Sequence, residues 1–559
     1  MSDEPPLTRQ PSLMRSAAVV SAMTLLSRLS GFAQTYFLSY YLGAGAAADA
    51  YAVAFRLPNL LRRFAAEGTM TAAFLPTLTE LEAKEGEAAT RATAARFLGT
   101  LLTLITILVI VVMLSMGLIA GLLVVGRLQS GVPFSDKLAL LWRVLSGSVP
   151  PPPEMALTVR LGRIMFPYLA LVSLTAGFGG LLNLRGRFAL ASSVSVFWNL
   201  AFMAFGWIAI RFGQSHDSYG WSSPEAIATI CAIAVLVGGV VQLTVLVPSV
   251  LSLGFGLSPG FNFKDPWVRL ILRRMGPGML AAGVYPINAV ISTMLASNLP
   301  HGAQIVLYNS GMMGEMVLGL FAMSLATASL PALSRQAEAK DWEGMRNNLA
   351  EALGATGLLV IPASVGLAVL AHPICALIFR TGAYDSAAAG WTATTIMFQC
   401  VGLLFVAASR VGTQALYALK DYRGPMVIAV LSMVLNVLLS LLWLRSLGTG
   451  GLALANGVSS LAGLIFLAFR LKPRLSQMPA LPVLRTWLAS LLGAALMGLL
   501  AWKGIAWLGL GMPLHRLSLA LRLLPFIILC AAVYGGMMLV LGHPQARSLG
   551  RKIYSRFSR

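Results

Sequence analysis

The stretch DAYAVAFRLPNLLRRFAAEGTMTAAFLPTLTE (49–80) decides the fold, because it has the character of a membrane span that carries three arginines. As a helix from residue 49 to about residue 75, it is long enough to cross a hydrocarbon core of about 30 Å, and Arg62 then lies roughly 20 Å from the outer end. An arginine facing lipid at that depth costs about 2.5–3.5 kcal/mol. Arg56, Arg62 and Arg63 are therefore predicted to face a cavity, a counter-charge or a ligand.

The neighbours of these arginines differ. Glu67 follows Arg63 by four residues, a spacing that allows an ion pair on one helix face, whereas Arg62 has no acid at such a spacing. Pro58 removes one backbone hydrogen bond and predicts a kink in mid-membrane, with Asn59 beside it as a second supporting residue. Arg62 is thus the leading candidate for a ligand contact.

Composition places the chain among polytopic membrane proteins. Of its 559 residues, 57% are hydrophobic and only 11% are charged, which lies far outside the soluble globular range. The net charge of +21 is attributed to loops on the cytoplasmic side and to anionic phospholipids rather than to nucleic acid. The four cysteines are scattered through apolar runs, so neither a disulfide framework nor a metal site is predicted.

Apolar runs of spanning length predict an all-α protein with fourteen transmembrane helices. They fall near residues 16–41, 49–75, 97–126, 157–181, 188–212, 223–249, 270–298, 302–332, 349–371, 386–417, 424–444, 449–469, 482–504 and 519–542.

The two halves of the chain carry an internal repeat. TAAFLPTLTE (71–80) matches ATASLPALSR (326–335) at an offset of 255, and a second pair aligns Asn199 with Asn436 at an offset of 237. The difference of 18 residues fits the Pro-rich loop 127–156 of the first half. Two six-helix lobes in the same orientation plus two extra helices follow from this pattern.

The predicted organisation follows from the spans and the repeat. Its parts are a cytoplasmic tail (1–15), an N-lobe (16–249), a cytoplasmic linker (250–269), a C-lobe (270–469), helices 13 and 14 (482–542) and a basic cytoplasmic tail (543–559).

Basic residues predict the orientation. Of 41 lysines and arginines, 25 fall on the side that holds both termini, 11 fall on the other side, and five lie inside spans. Because positive loops stay on the cytoplasmic side, both termini are predicted to be cytoplasmic.

Counting residues from the outer helix ends places charged groups of different spans at one depth. If Tyr41 and Asp49 mark the outer ends of the first two helices, Arg28 and Arg62 each lie 13 residues below their own end. The eighth helix, entered at about residue 302, brings Glu315 to the same level. These side chains are predicted to meet in mid-membrane.

A second, shallower tier holds Gln34 and Arg56, each seven residues below its helix end. The alternative to a binding cavity is a purely structural network of buried ion pairs. A net charge of +2 leaves such a network incomplete, and guanidinium groups suit bidentate binding of phosphate. The central constellation consists of Arg28, Arg56, Arg62 and Arg63 against Glu67 and Glu315.

The stretch SRLSGFAQTYFLSYYLGAGAAADAYAVAFRLPNLLRRFAAEGTMTAAFLP resembles the amino-terminal signature of the MurJ/MviN lipid II flippases, and the similarity in helix pattern covers nearly the whole chain. The resemblance implies the MOP-superfamily fold, a V-shaped pair of lobes around a cationic central cavity, and a groove for the polyprenyl tail at the last two helices. It also implies alternating access that carries lipid II to the outer leaflet, with cell-wall synthesis proteins as partners.

Individual residues follow from the resemblance. Arg28 and Arg62 match the family's cavity arginines, and Asp49 matches its acidic residue at the outer mouth. Glu315 matches an acidic position of the eighth helix, and Arg410 matches a basic position of the tenth.

Two departures leave the cargo open. Gln34 and Met312 stand where the family usually has arginines. The chain is thus interpreted as a lipid II flippase that depends more on Arg56 and Arg63, or as a flippase for another polyprenyl-pyrophosphate-linked saccharide.

Other functional classes fit less well. Enzymatic chemistry is not predicted, because the five histidines share no depth level with a carboxylate or a nucleophile. An ion-coupled exporter of the same superfamily would need an excess of buried carboxylates, and a scaffold would need no polar tier in mid-membrane. With no Walker loop in the sequence, the driving force is left open between the membrane potential and bound Na⁺ or H⁺.

Overall fold

The computed structural model describes residues 13–65, 73–128, 134–215, 220–421, 423–475, 480–512 and 515–541. Within these ranges the named elements are all helical. The chain divides into two compact units, residues 1–286 and 287–559. The helices of the first unit are α1 (Leu13–Leu42), α2 (Ala46–Ala65), α3 (Leu75–Leu114), α4 (Met116–Leu123), α5 (Phe134–Leu145), α6 (Pro153–Met165), α7 (Tyr168–Leu184), α8 (Phe188–Ser215) and α9 (Pro224–Ser252), and α10 (Pro266–Ala296) runs across the division.

The second unit continues with helices only, apart from one isolated β-bridge between Thr381 and Tyr384. A π-helical turn, Leu318–Ala322, lies between its first two helices. These helices are α11 (Ala303–Val317), α12 (Met323–Glu338), α13 (Trp342–Val369), α14 (Ala371–Ile378), α15 (Ser386–Ala418), α16 (Arg423–Leu475), α17 (Ala480–Trp507) and α18 (Arg516–Val540).

Ten helical stretches of the described residues are long and apolar enough to cross a membrane. The prediction of an all-α polytopic membrane protein is confirmed at this level. Two predicted single spans are broken: α6 and α7 meet at Pro167, and the span 97–126 is interrupted at Ser115. Pro167 lacks a backbone N–H and so cannot continue the hydrogen-bond ladder.

The residues 76–96, which lie between two of the predicted spans, are helical in the structure. They form the first part of α3, which is divided at Gly86, where φ is 83°. A positive φ is the conformation that glycine adopts without steric cost. The polar segment is therefore helical on both sides of Gly86, rather than an irregular connection.

The long element α16 contains two antiparallel helices. A straight helix of 53 residues would extend about 80 Å, well beyond any bilayer core. Gly448, with φ of 56° and ψ of −132°, reverses the chain. Consequently the backbone oxygen of Trp443 lies 2.6 Å from where a Cβ of Gly451 would stand, and Gly463 reaches the side chain of Ser432. Spans near 424–444 and 449–469 therefore both exist.

Helix α1 packs mainly against α8 in the first unit. Asn199 of α8 is buried and donates to the hydroxyl of Ser30 at 2.8 Å and to the carbonyl of Ser27 at 3.4 Å. Its partner in the repeat, Asn436, is also fully buried and accepts from Ser440 at 3.4 Å. The repeat thus places a buried asparagine in each half of the chain.

The second unit is centred on α15, which packs against α11, α12, α13, α14 and α16. At Gly402 and Gly457 the backbones of α15 and α16 nearly touch, since a Cβ on Gly402 would lie 2.1 Å from the Cα of Gly457. Such small residues let membrane helices approach closely. Because lipid is as apolar as the side chains, van der Waals contact between the helices is the main source of their packing energy. Helix α13 packs in turn on α17.

Candidate functional site

The arginines of the opening stretch lie on α2, which begins at Ala46 and runs through Pro58 to Ala65. Tyr51 and Phe55 anchor the helix in the first unit, the ring of Phe55 stacking on Trp198 at 6.1 Å. Arg56 and Arg62 are both half-buried. A membrane span that keeps arginines against protein instead of exposing them to lipid fits the prediction of an internal polar surface.

Three predicted residues differ in how far the structure describes them. Asn59 is half-buried on the helix face that also carries Arg56 and Arg63, at spacings of three and four residues. The side chain of Arg63 and all of Glu67 lie outside the described residues. The predicted pair between them therefore stays a prediction.

Helix α1 presents its two predicted residues on different faces. Arg28 is exposed, whereas Gln34 is buried, 8% of its surface being accessible. Counted from the end of α1, Gln34 lies about 12 Å deep and Arg28 about 21 Å deep. Counted from the start of α2, Arg56 lies about 15 Å deep and Arg62 about 24 Å deep, so the two tiers keep their order.

Asp49 forms a buried ion pair at the predicted outer mouth. Its carboxylate accepts from the guanidinium of Arg127 at 3.0 Å, with side-chain exposures of 3% and 11%. Glu154, at the start of α6, lies 3.6 Å from Nε of the same arginine. The cluster joins α2, the segment after α4 and α6 within the first unit, which gives Asp49 a role in holding helix ends together.

The sequence analysis did not identify three residues at or near this cluster, which are Arg127, Glu154 and Lys137. Lys137 of α5 is buried and donates to the carbonyl of Gly126 at 3.2 Å. Burial lowers the pKa of the Lys137 ammonium. The signal was available, because Asp49 and Arg127 both mark the outer ends of predicted spans and so share one depth.

We expect Asp49→Ala to lower the unfolding free energy by about 3 kcal/mol, because the buried guanidinium of Arg127 then keeps only the more distant Glu154 as a counter-charge. Thermal unfolding of the purified protein in detergent measures the loss. Glu154→Ala is the matched control and should cost less, since its distance is longer and its side chain is 19% exposed. Equal losses in the two variants would contradict the assignment of Asp49 as the main partner.

Glu315 and Arg410 form the second ionic contact, within the second unit. Two guanidinium nitrogens of Arg410 donate to the two carboxylate oxygens of Glu315 at 2.8 and 3.3 Å. Glu315 lies one turn before the π-helical turn that follows α11. Arg410, which the resemblance places only at a basic position of the tenth helix, thus offsets the charge of Glu315 within the second unit.

Reversal of this pair tests its contribution. We expect Glu315→Arg and Arg410→Glu each to reduce folded yield, because like charges then face each other, and the double variant to recover most of the yield. The measurement is size-exclusion yield of the purified variants. If the folded yield of the double variant is no higher than that of either single variant, the ion pair between these two side chains does not stabilise the fold.

Solved structures with the same fold identify the fold class of this chain. A solved structure described as lipid II flippase MurJ in an inward closed conformation matches with a TM-score of 0.69 at 21% identity, covering 94% of this chain and 99% of that one. A multidrug resistance MATE family transporter of the MOP superfamily, in an inward-facing conformation, matches with a TM-score of 0.60 at 13% identity, covering 82% and 99% of the two chains. The fold is that of these multi-helix membrane transporters.

Sequence comparisons narrow the class to a family. The family described as lipid II flippase MurJ matches residues 38–514. A probable lipid II flippase MurJ of Vibrio cholerae serotype O1 is 31% identical over 95% of this chain and 96% of its own length. The lipid II flippase MurJ of Burkholderia cenocepacia is 30% identical over 96% of this chain and 98% of its own length. This chain belongs to the lipid II flippase MurJ family.

Proposed function

We propose that the protein is a transporter, not an enzyme, and moves lipid II from the inner to the outer leaflet of the bacterial inner membrane. Family membership along nearly the whole chain is the observation that carries this proposal. Lipid II presents a pyrophosphate, and the half-buried arginines of α2 supply the group that binds phosphate oxygens best.

In this proposal Arg62 and Arg56 contact the pyrophosphate, with Arg28, Arg63 and Gln34 in the same polar surface. The ion pair of Glu315 and Arg410 forms a second polar contact site, which orients the sugar or peptide of the cargo. Asp49 stabilises the outer mouth through Arg127. The membrane potential acting on the arginines, or a gradient of Na⁺ or H⁺, drives the cycle.

We further propose fourteen crossings, arranged as two six-helix lobes and two C-terminal helices. The ten apolar stretches include α16, which reverses at Gly448 and so supplies two crossings. Helices α1, α2 and α10 are long enough to add three more. An even number of crossings places both termini on one side, which the basic residues mark as cytoplasmic.

Reporter fusions test this topology. A fusion after Arg559 and an insertion at Ser148, in the turn that follows α5, should report opposite sides of the membrane. The physical reason is that 25 of the 41 basic residues lie on the side of the termini. Alkaline phosphatase and green fluorescent protein activities read the two sides, and identical readings at both positions would contradict the topology.

Helix α17 offers the surface that we propose for the polyprenyl tail. Two apolar cavities of about 250 and 350 Å³ lie along it, one on each side of Trp487. Trp487 donates to the carbonyl of Leu353 at 2.9 Å and so is fixed between them. Their linings come from α13, α15, α16 and α17, so of the two helices expected to form the groove, α17 contributes and α18 lines neither cavity.

Native mass spectrometry of the purified protein tests the cargo. A co-bound mass equal to that of lipid II supports the proposal. A different polyprenyl-pyrophosphate-linked saccharide in its place would assign the chain to a related cargo, as the departures at Gln34 and Met312 allow. Binding of soluble cations with no polyprenyl lipid would favour an ion-coupled exporter instead.

A further inference from the structure

The segment 255–265, FGLSPGFNFKD, connects α9 to α10 and folds back onto α3. Three of its backbone N–H groups donate to α3: Ser258 to the carbonyl of Ala95 at 3.1 Å, Asn262 to the hydroxyl of Thr100 at 3.1 Å and Gly260 to the hydroxyl of Thr103 at 3.2 Å. The segment, which lies within the region expected to be a linker, is therefore fixed to a membrane span.

The contact is one of backbone on backbone. A Cβ on Gly99 would lie 1.7 Å from the carbonyl oxygen of Ser258, so only glycine permits this approach. The side-chain amide of Asn262 adds bonds to the carbonyls of Arg96 at 3.3 Å and of Ser258 at 3.3 Å. Such a set of bonds holds an irregular chain in one place.

The depth of these bonds places the segment at the membrane surface. After Arg96 the sequence of α3 has no charged residue before Arg127. Thr103 lies seven residues beyond Arg96, about 10 Å along the helix, so Gly260 reaches the edge of the apolar part of the span. Irregular backbone at that level needs partners from the protein, and the two threonines of α3 provide them.

The exposed surface of the segment combines aromatic rings and basic groups. Phe261 and Phe263 are 57% and 42% exposed, with their rings stacked at 5.8 Å. Residues 255–275 hold four basic side chains and a single acid, Asp265. That acid is occupied by Arg96 at 2.9 Å and by the backbone N–H of Trp267 at 2.8 Å, where it caps α10.

A cavity of about 610 Å³ lies between this segment and α3. Arg96, Lys264, Asn262 and Trp267 are among its lining residues. The indole of Trp267 donates to Glu85 at 2.7 Å, and Lys84 lies 5.5 Å from its ring. Two basic groups, Arg96 and Lys264, and two carboxylates, Glu85 and Asp265, therefore line this space, and both carboxylates already accept hydrogen bonds, from Trp267 and Arg96.

We propose that segment 255–265 and this cavity form a binding site for an anionic phospholipid of the leaflet that the basic residues mark as cytoplasmic. Phe261 and Phe263 enter the boundary between headgroups and acyl chains, as aromatic side chains do at membrane surfaces. Lys264 contacts the phosphate beside the pair of Arg96 and Asp265, and Lys264, Arg269 and Arg273 together favour anionic over zwitterionic lipid, while Arg274 pairs with Glu80. The site does not depend on which cargo the protein transports.

Spin-label accessibility tests the position of the segment. Phe263→Cys is labelled in the full chain reconstituted in bilayers that contain phosphatidylglycerol, and collisions with oxygen and with a water-soluble nickel chelate are compared. Ala88→Cys, exposed on the polar part of α3, is the aqueous control, and Leu108→Cys, 41% exposed on the apolar part, is the lipid reference. The wild-type chain gives the background, since its four cysteines are buried.

The proposal predicts an accessibility ratio for Phe263→Cys between those of the two references, and clearly above that of Ala88→Cys. A ratio equal to that of Ala88→Cys would overturn it. For the charge preference, native mass spectrometry should show bound phosphatidylglycerol reduced at least severalfold in Lys264→Gln, with Arg445→Gln as an exposed control that retains it. Equal retention of phosphatidylglycerol and phosphatidylcholine by the wild-type chain would also contradict the proposal.

Discussion

Arg62→Ala should yield a folded protein that transports its cargo about 10- to 100-fold more slowly, because a charge-assisted hydrogen bond contributes about 1.5–3 kcal/mol. Arg62 is half-buried near the inner end of α2 and is not among the side chains that anchor this helix, which are Tyr51 and Phe55. Complementation of a depletion strain measures the loss, and thermal unfolding reports the fold.

The conservative variant sharpens this prediction. Arg62→Lys keeps the charge but not the planar pair of donors, so we expect it to restore little transport if the contact is bidentate. Arg445→Ala is the matched control, since that side chain is exposed and lies outside the proposed site. Full complementation by Arg62→Ala would mean that Arg62 does not contact the cargo.

We expect Arg56→Gln to lower transport at least tenfold relative to the wild-type protein, because this chain lacks the arginine that the family usually has at the depth of Gln34. With neutral residues at both positions, the shallower tier would hold no positive charge to offset the desolvation of a pyrophosphate. The loss should exceed that caused by Arg28→Gln in the same assay, since Arg62 still supplies a positive charge at the depth of Arg28. Cellular accessibility of lipid II measures it.

A second substitution tests whether the two positions act together. Adding Gln34→Arg to Arg56→Gln should restore a measurable part of transport, whereas adding Gln34→Leu should not. Because Gln34 is buried, expression and thermal unfolding of each double variant must be measured beside transport. Unchanged transport in Arg56→Gln alone would contradict the placement of Arg56 at the binding surface.

Much of the fold could be predicted from hydropathy, because the bilayer imposes a length on every apolar run. The limits were set by single residues: Pro167 and Ser115 break runs that composition alone reads as continuous. At Gly448, by contrast, the chain reverses between two spans that the apolar runs predict separately. Length and apolarity are averages over about 20 residues, so they cannot locate a break that one backbone conformation produces.

The candidate site was predictable where charges lie inside spans, as for Arg56 and Arg62. Local sequence spacing did not identify the ion pairs, because the partner of Glu315 is 95 residues away and that of Asp49 is 78 residues away, where only the shared depth of two predicted helix ends points to it. Local spacing finds pairs three or four residues apart on one helix, whereas these two pairs depend on how helices pack. The docking of segment 255–265 was missed for the same reason, since Gly99 and Thr103 carry no signal of a partner in their own sequence.

Transport of lipid II by the purified protein is the most direct test of the central claim. Lipid II labelled with a fluorophore on its peptide is reconstituted in vesicles with the protein, and a membrane-impermeant reductant is added outside. We predict that, at the time when nearly all of the fluorescence has become accessible with the wild-type protein, Arg62→Ala has exposed little more than the outer-leaflet fraction. If the wild-type protein leaves the inner-leaflet fraction as protected as it is in protein-free vesicles, under an imposed membrane potential and Na⁺ or H⁺ gradients alike, the account is wrong.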